Sequence, residues 1–213
     1  MENGRTVKYI CPYCRKEMEI EVFDKVNAQE DPDLQERCAS GDLFKTSCPH
    51  CKQDFMVQYP LVYIDTANKF ILWLSQEEHP EIGNLTRPLI QQGYRLRRCS
   101  TIREFTEKIA IFEDGMDDVV VELAKYDSFI EFIDNKKGTA EEITSIEYQR
   151  CENEVMKINI RTGDQGMSFL IPVGMVEEEI AQNPELYEIR DDEIPLINSD
   201  WILSLFEESA GQA

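Results

Sequence analysis

Polar and apolar residues alternate from residue 17 to 22. Met18, Ile20 and Val22 fall on one side, and Glu17, Glu19 and Glu21 on the other. A period of two predicts a half-buried strand. The alternation returns at Phe55, Val57 and Tyr59, which predicts another. Between them lies "DPDLQERCASG", where Asp31 is placed to cap a short helix, Pro32 takes its first position and Gly41 ends it. "LVYIDTANKFILWLS" reads as two strands joined by a turn around Asp65–Asn68. The stretch 76–93 has two prolines and two glycines and reads as an irregular loop.

"YRLRRCS" predicts a strand. In the helix that follows, Ser100 or Thr101 can act as cap and Glu104 can complete a capping box with Thr101; Ile102, Phe105, Ile109 and Phe112 share a face. "MDDVVVELAKYDSFIEFI" predicts a second helix, disrupted in part by three consecutive valines that would suit a strand equally well. "NKKG" at 135–138 is the expected break between segments. Beyond it come two or three strands with "TGDQG" as a turn, a short helix that Pro184 stops, and a closing helix capped by Asn198, Ser199 or Asp200. The expected domains are residues 1–135 and an acidic α+β segment, 139–213, of unknown role.

Charge changes this picture in one respect. The 213 residues carry a formal net charge of −20 with a pI near 4.4. Residues 1–60 hold 8 basic and 11 acidic side chains, residues 61–140 hold 10 and 14, and residues 141–213 hold 4 and 17. The last third therefore repels nucleic-acid backbones and anionic membranes. No run approaches the length of a membrane span, and "MENGRTVKYI" has no apolar stretch ahead of a cleavage site. Seven cysteines in such a chain suggest a metal site in a reducing compartment, with the cytoplasm as the expected location.

The cysteines carry the chemistry. "CPYC" at 11–14 and "CPHC" at 48–51 could each be a dithiol redox centre, but such a centre places its first cysteine at a helix N-terminus, which lowers its pKa. Both motifs here are flanked by strand patterns. Two CxxC turns supply four thiolates, the set a structural zinc takes in a tetrahedron. Pro12 and Pro49 preset the turns and leave the following amides free to face sulfur. Arg15 and Lys52, one after each motif, offset the tetrathiolate charge, and His50 is expected to face outward. The 33 residues between Cys14 and Cys48 raise the closure cost by only about 0.5–1 kcal/mol. One structural Zn²⁺ on Cys11, Cys14, Cys48 and Cys51 is the expected cofactor; an iron centre would use the same ligands. The fold class is α+β: a zinc-ribbon-like, β-rich N-terminal module with an inserted short helix, followed by a mixed α/β C-terminal segment.

These motifs, with "VNA" at 26–28, Asp31, Leu34, Gly41 and Phe44 between them and "YPLVYID" after them, resemble the CpXC domain family of prokaryotes. "RLRRCSTIREFTEKIAIFEDGMDDVVVELAK" is similar to that family's continuation, so the resemblance covers about residues 8–133. It implies a cytoplasmic, zinc-binding module with no established reaction. The glycine common in zinc knuckles after the second cysteine is replaced here by Arg15 and Lys52.

Of the other cysteines, Cys38, Cys99 and Cys151 read as core residues, with Cys99 alone beside concentrated positive charge. His79 is the one histidine outside the motifs. Asp117–Asp118 and Asp191–Asp192 are ordinary in so acidic a chain, and Trp73 and Trp201 read as anchors. The closed site and the lack of a nucleophile–base motif point to an interaction or regulatory module without catalysis, whose partner is another protein. Two alternatives stand beside it: an enzyme with a non-local active site around residues 90–130, and a nucleic-acid binder using Arg95, Arg97, Arg98 and the ribbon, which the net charge opposes.

Overall fold

The computed structural model describes residues 4–77, 86–135, 137–152, 154–189 and 194–211. They form two compact units, residues 1–109 with 191–195, and residues 110–190 with 196–213. The first is β-rich with a short helix and a cysteine cluster resembling a zinc ribbon, and the second is mixed α/β.

The first unit opens with the hairpin β1 (Gly4–Ile10) and β2 (Glu17–Phe23), in which Val7 faces Ile20 and Tyr9 faces Met18. As the alternation requires, Met18, Ile20 and Val22 are buried while the intervening glutamates are exposed. Next come β3 (Lys25–Asn27) and α1 (Pro32–Ser40). Asp31 stands at the N-cap without making a side-chain cap bond; Pro32 at the first position and left-handed Gly41 at the end mark the helix. A second, smaller pair follows, β4 (Lys45–Ser47) with β5 (Asp54–Met56). The expected strand over Phe55–Tyr59 is regular only to Met56; the Val57 amide still donates to Phe44 carbonyl at 2.8 Å, the next pair in the same register, before the chain leaves the ladder.

β3, β6 (Leu61–Asp65), β7 (Phe70–Leu74) and β8 (Arg95–Cys99) form one sheet in that order. The outer pairs are parallel and β6–β7 is an antiparallel hairpin. Val26, Tyr63, Leu72 and Arg97 lie in register across it, all buried. Phe105, on α3 (Ile102–Glu113), meets Tyr63 and Phe44 edge-on at 5.9 and 5.8 Å. The Thr101–Glu104 box forms reciprocally, and Glu104 also takes the Ser100 amide and hydroxyl. Within the supposed loop 76–93 the structure has a helix, α2 (Thr86–Gln91). Pro88 falls in its first turn, where a missing N–H costs no intrahelical bond. The rest of that loop, His79 included, lies outside the described residues.

In the second unit the valine run does not interrupt α4 (Asp118–Asp134), a continuous helix capped by Asp117, which accepts from the Val119 amide at 2.8 Å. Val119, Val120 and Val121 are all buried, and that burial outweighs their weak helix propensity. β9 (Ile143–Arg150), β10 (Val155–Thr162) and β11 (Gln165–Pro172) make an antiparallel sheet with β10 central. α4 packs on β9 and β10, and Met156, Ile158 and Ile160 are fully buried. α5 (Val173–Gln182) and α6 (Ser199–Gly211) also lie against α4, with Tyr126 stacked on Phe206 at 4.7 Å. Asn198 caps α6 through the Trp201 amide. Residues 135–138 fall within this unit, after α4. Among the described residues no helix is long and apolar enough to cross a membrane.

Candidate metal centre

Each cysteine motif sits in the turn of a hairpin, and the two turns are built alike. Arg15 N–H donates to Cys11 carbonyl at 3.0 Å, and Cys11 N–H to Lys16 carbonyl at 3.0 Å. In the second turn Lys52 donates to Cys48 at 2.9 Å and Cys48 to Gln53 at 3.0 Å. This geometry needs a left-handed residue after each motif, and Arg15 (φ 61°) and Lys52 (φ 60°) supply it. A side chain there costs about 1–2 kcal/mol that glycine would avoid. The missing glycines thus leave the turn geometry intact.

The turns bring the four sulfurs Cys11, Cys14, Cys48 and Cys51 within 4.8 Å of one another. Cys11 lies 3.7 Å from Cys51, and Cys14 3.7 Å from Cys48. A zinc–sulfur bond of about 2.3 Å implies sulfur–sulfur edges of about 3.8 Å in a tetrahedron, so the donor set fits the ion. Cys11 and Cys48 are fully buried, and Cys14 and Cys51 half-buried. Met18, Ile20, Val22 and Val57 pack beneath them with Val7, Tyr9, Phe55 and Tyr59, closing one side to water. Burial pushes the Cys48 thiol up, but the amides of Cys51 and His50 and the neighbouring thiols outweigh it and hold Cys48 down at about 6. Cys51 accepts from the Gln53 backbone, yet burial and the other three thiols raise it to about 11. His50 faces away, donating from Nε2 to Glu17 carbonyl at 3.1 Å, and is no ligand.

Among the described residues, most of the other groups singled out from the sequence lie in the core or in structural roles. Arg97 is 6% exposed and donates to its neighbour Leu96 carbonyl, so it is a core group rather than part of a basic surface. Arg95 and Arg98 are half-buried, and strand alternation puts Arg98 on the opposite face. Cys99 is fully buried, as is Cys38, whose thiol burial pushes up to about 12; both are core residues. Asp117 caps a helix, and Asp191–Asp192 lie outside the described residues.

Two features escape sequence reading. An aromatic row runs from Tyr9 through Phe55 to Tyr13, with ring centroids 6.0 Å apart at each step. In the second unit a cleft of about 700 Å³ contains Asp114, whose two oxygens are taken by Tyr148 hydroxyl and Arg150 guanidinium, each at 3.1 Å. Burial and the Asp114 carboxylate both raise the Tyr148 phenol. These partners lie 34 and 36 residues apart, so no local motif announces them.

No curated protein and no solved structure matches the chain. The family model for the CpXC protein matches residues 10–125, more than half of the 213-residue chain, spanning both cysteine motifs, the four-stranded sheet, α3 and the start of α4. The chain belongs to the CpXC protein family.

Proposed function

We propose that this protein is a non-catalytic interaction module whose N-terminal ribbon is held by one structural Zn²⁺ on Cys11, Cys14, Cys48 and Cys51. The carrying observation is the gathering of four sulfurs within 4.8 Å of one another, two pairs of them at 3.7 Å, over a small apolar cluster. Four thiolates leave no open position for water or substrate, so the ion stabilises rather than catalyses. Each oxygen of Asp114 in the second-unit cleft accepts from one partner, Tyr148 or Arg150, an arrangement that suits a structural link between the end of α3 and β9. Seven cysteines without a disulfide among them suit a reducing compartment, and we place the protein in the cytoplasm with a protein partner.

Elemental analysis of the purified chain tests the reading, with about one zinc per chain expected. Cys48→Ser removes a buried ligand, and its metal content should fall well below stoichiometric. One iron per chain would replace zinc by iron on the same ligands. A wild-type chain that takes up neither metal from solution while keeping its ribbon folded would overturn the proposal.

A further inference from the structure

The cations of the ribbon fall into two groups. Arg5, Lys8 and Lys45, along the strands, are paired with Asp24, Glu17 and Asp42. Arg15, Lys16 and Lys52, at the two turns, are exposed, and no ion pair engages their side chains among the described residues. Two of these three occupy the left-handed positions where glycine would sit without strain. Part of that charge offsets the four thiolates, and the three exposed side chains stay open to a ligand as well.

Beside them stands Tyr13. Its ring is 60% exposed and meets Phe55 edge-on, while Phe55 lies stacked on Tyr9 at 24°. The outermost ring of the row is thus braced from beneath and open to solvent. A braced aromatic ring carried on the same pair of turns as three exposed cations has the parts of a single-strand nucleic-acid platform, where bases stack on rings and phosphates meet cations. The net charge of the chain opposes this less than it suggests. Residues 1–109 carry 15 basic and 17 acidic side chains, while residues 110–213 carry 7 and 25. Screening over about 8 Å leaves the turns to their local field, in which the three cations outnumber the net charge of −2 that four thiolates on a dication leave.

We propose that the tips of the two cysteine turns bind a short single strand of nucleic acid, with Tyr13 stacking on a base and Arg15, Lys16 and Lys52 meeting phosphates. The proposal rests on the metal-held geometry of the ribbon. It places the contact on the turns and leaves buried Arg97 out of it.

Fluorescence anisotropy tests it, using a labelled 12-nucleotide mixed-sequence strand, as DNA and as RNA, with the full chain at measured metal content. Saturable binding at low salt is expected, with a slope of log K against log salt near −2, from about 0.7 per phosphate contact and three contacts. Tyr13→Ala should weaken binding about five- to 150-fold, the range that base–ring stacking spans. Arg15→Gly with Lys52→Gly should flatten the slope to about −0.7. Lys16→Gln, outside the left-handed positions, should lose one contact's worth of slope while the turns stay intact. Absence of binding to either strand by metal-loaded protein would overturn the proposal, as would unchanged binding by metal-loaded Tyr13→Ala and Lys16→Gln. An equally tight complex with polyglutamate would also overturn it, assigning the face to an acidic protein. A chain that takes up no metal would instead overturn the metal reading, which the same sample reports separately.

Discussion

Asp127, in the middle of α4, is half-buried in a segment rich in carboxylates. Burial raises its carboxyl first and Glu179 on α5 second, bringing it from 3.8 to about 6. Tyr187 faces the same pair, and its phenol is pushed up to about 12 by burial and then by Glu179 and Asp127. A carboxyl lifted by 6 − 3.8 = 2.2 corresponds to about 3 kcal/mol at 1.36 kcal/mol per pKa unit. Asp127 is only about half shielded, so solvent screening reduces the figure to about 1–2 kcal/mol. The sign follows from proton counts. Between 3.8 and about 6 the folded chain holds a proton that the unfolded chain has released. Stability therefore falls as pH rises through that window, and the full penalty applies above it. Asp127→Asn, which matches the neutral form in shape, should leave stability at pH 4 nearly unchanged. At pH 7 it should raise stability by about 1–2 kcal/mol, or about 2–8 °C in Tm. Thermal and urea unfolding of both proteins from pH 4 to 8 would measure this. Equal stability at pH 7, or the same slope between pH 4 and 6 in both, would refute the reasoning.

Three further substitutions probe the packing. Phe105→Ala empties a site enclosed by Phe44 and Tyr63 and should cost about 3–5 kcal/mol in urea unfolding. Asp117→Ala removes the α4 cap bond and should cost about 1 kcal/mol, with frayed first-turn amides visible in hydrogen exchange. Gly138→Ala sets a methyl 2.7 Å from the buried Phe132 ring, so about 1–3 kcal/mol should be lost and the ring displaced, as NMR shifts of that ring would report.

What could be read ahead of the structure was local. The four ligands lie in two four-residue motifs, and the strand flanking the first shows its faces by alternation, so site and hairpin follow from neighbouring residues. Val119–Val121 were ambiguous because propensity and burial oppose one another there, and only the packing of α4 decides. Arg97 shows a different limit: alternation groups it with Arg95 but cannot tell which sheet face meets the core. The Tyr13–Phe55 contact and the Asp114–Tyr148–Arg150 link join residues more than thirty positions apart. No periodicity carries that information. The left-handed backbone at Arg15 and Lys52 was visible only as an absent glycine.

The segment between the two cysteine motifs also bears on how quickly an ion can come and go. It is no free tether: Val26 lies opposite Tyr63 in the four-stranded sheet, and Phe44 packs against Tyr59 and Phe105. A folded connection of this kind raises the effective concentration of one half-site at the other above that of a free tether of equal length. In a free zinc-finger peptide, capture of the ion and folding are one event. Here the chain between the half-sites is anchored in the sheet and the aromatic cluster, so the proposed ion would meet ligands whose connecting segment is already folded. For the proposed ion, binding and release would therefore be tied to the two cysteine turns more than to the four-stranded sheet.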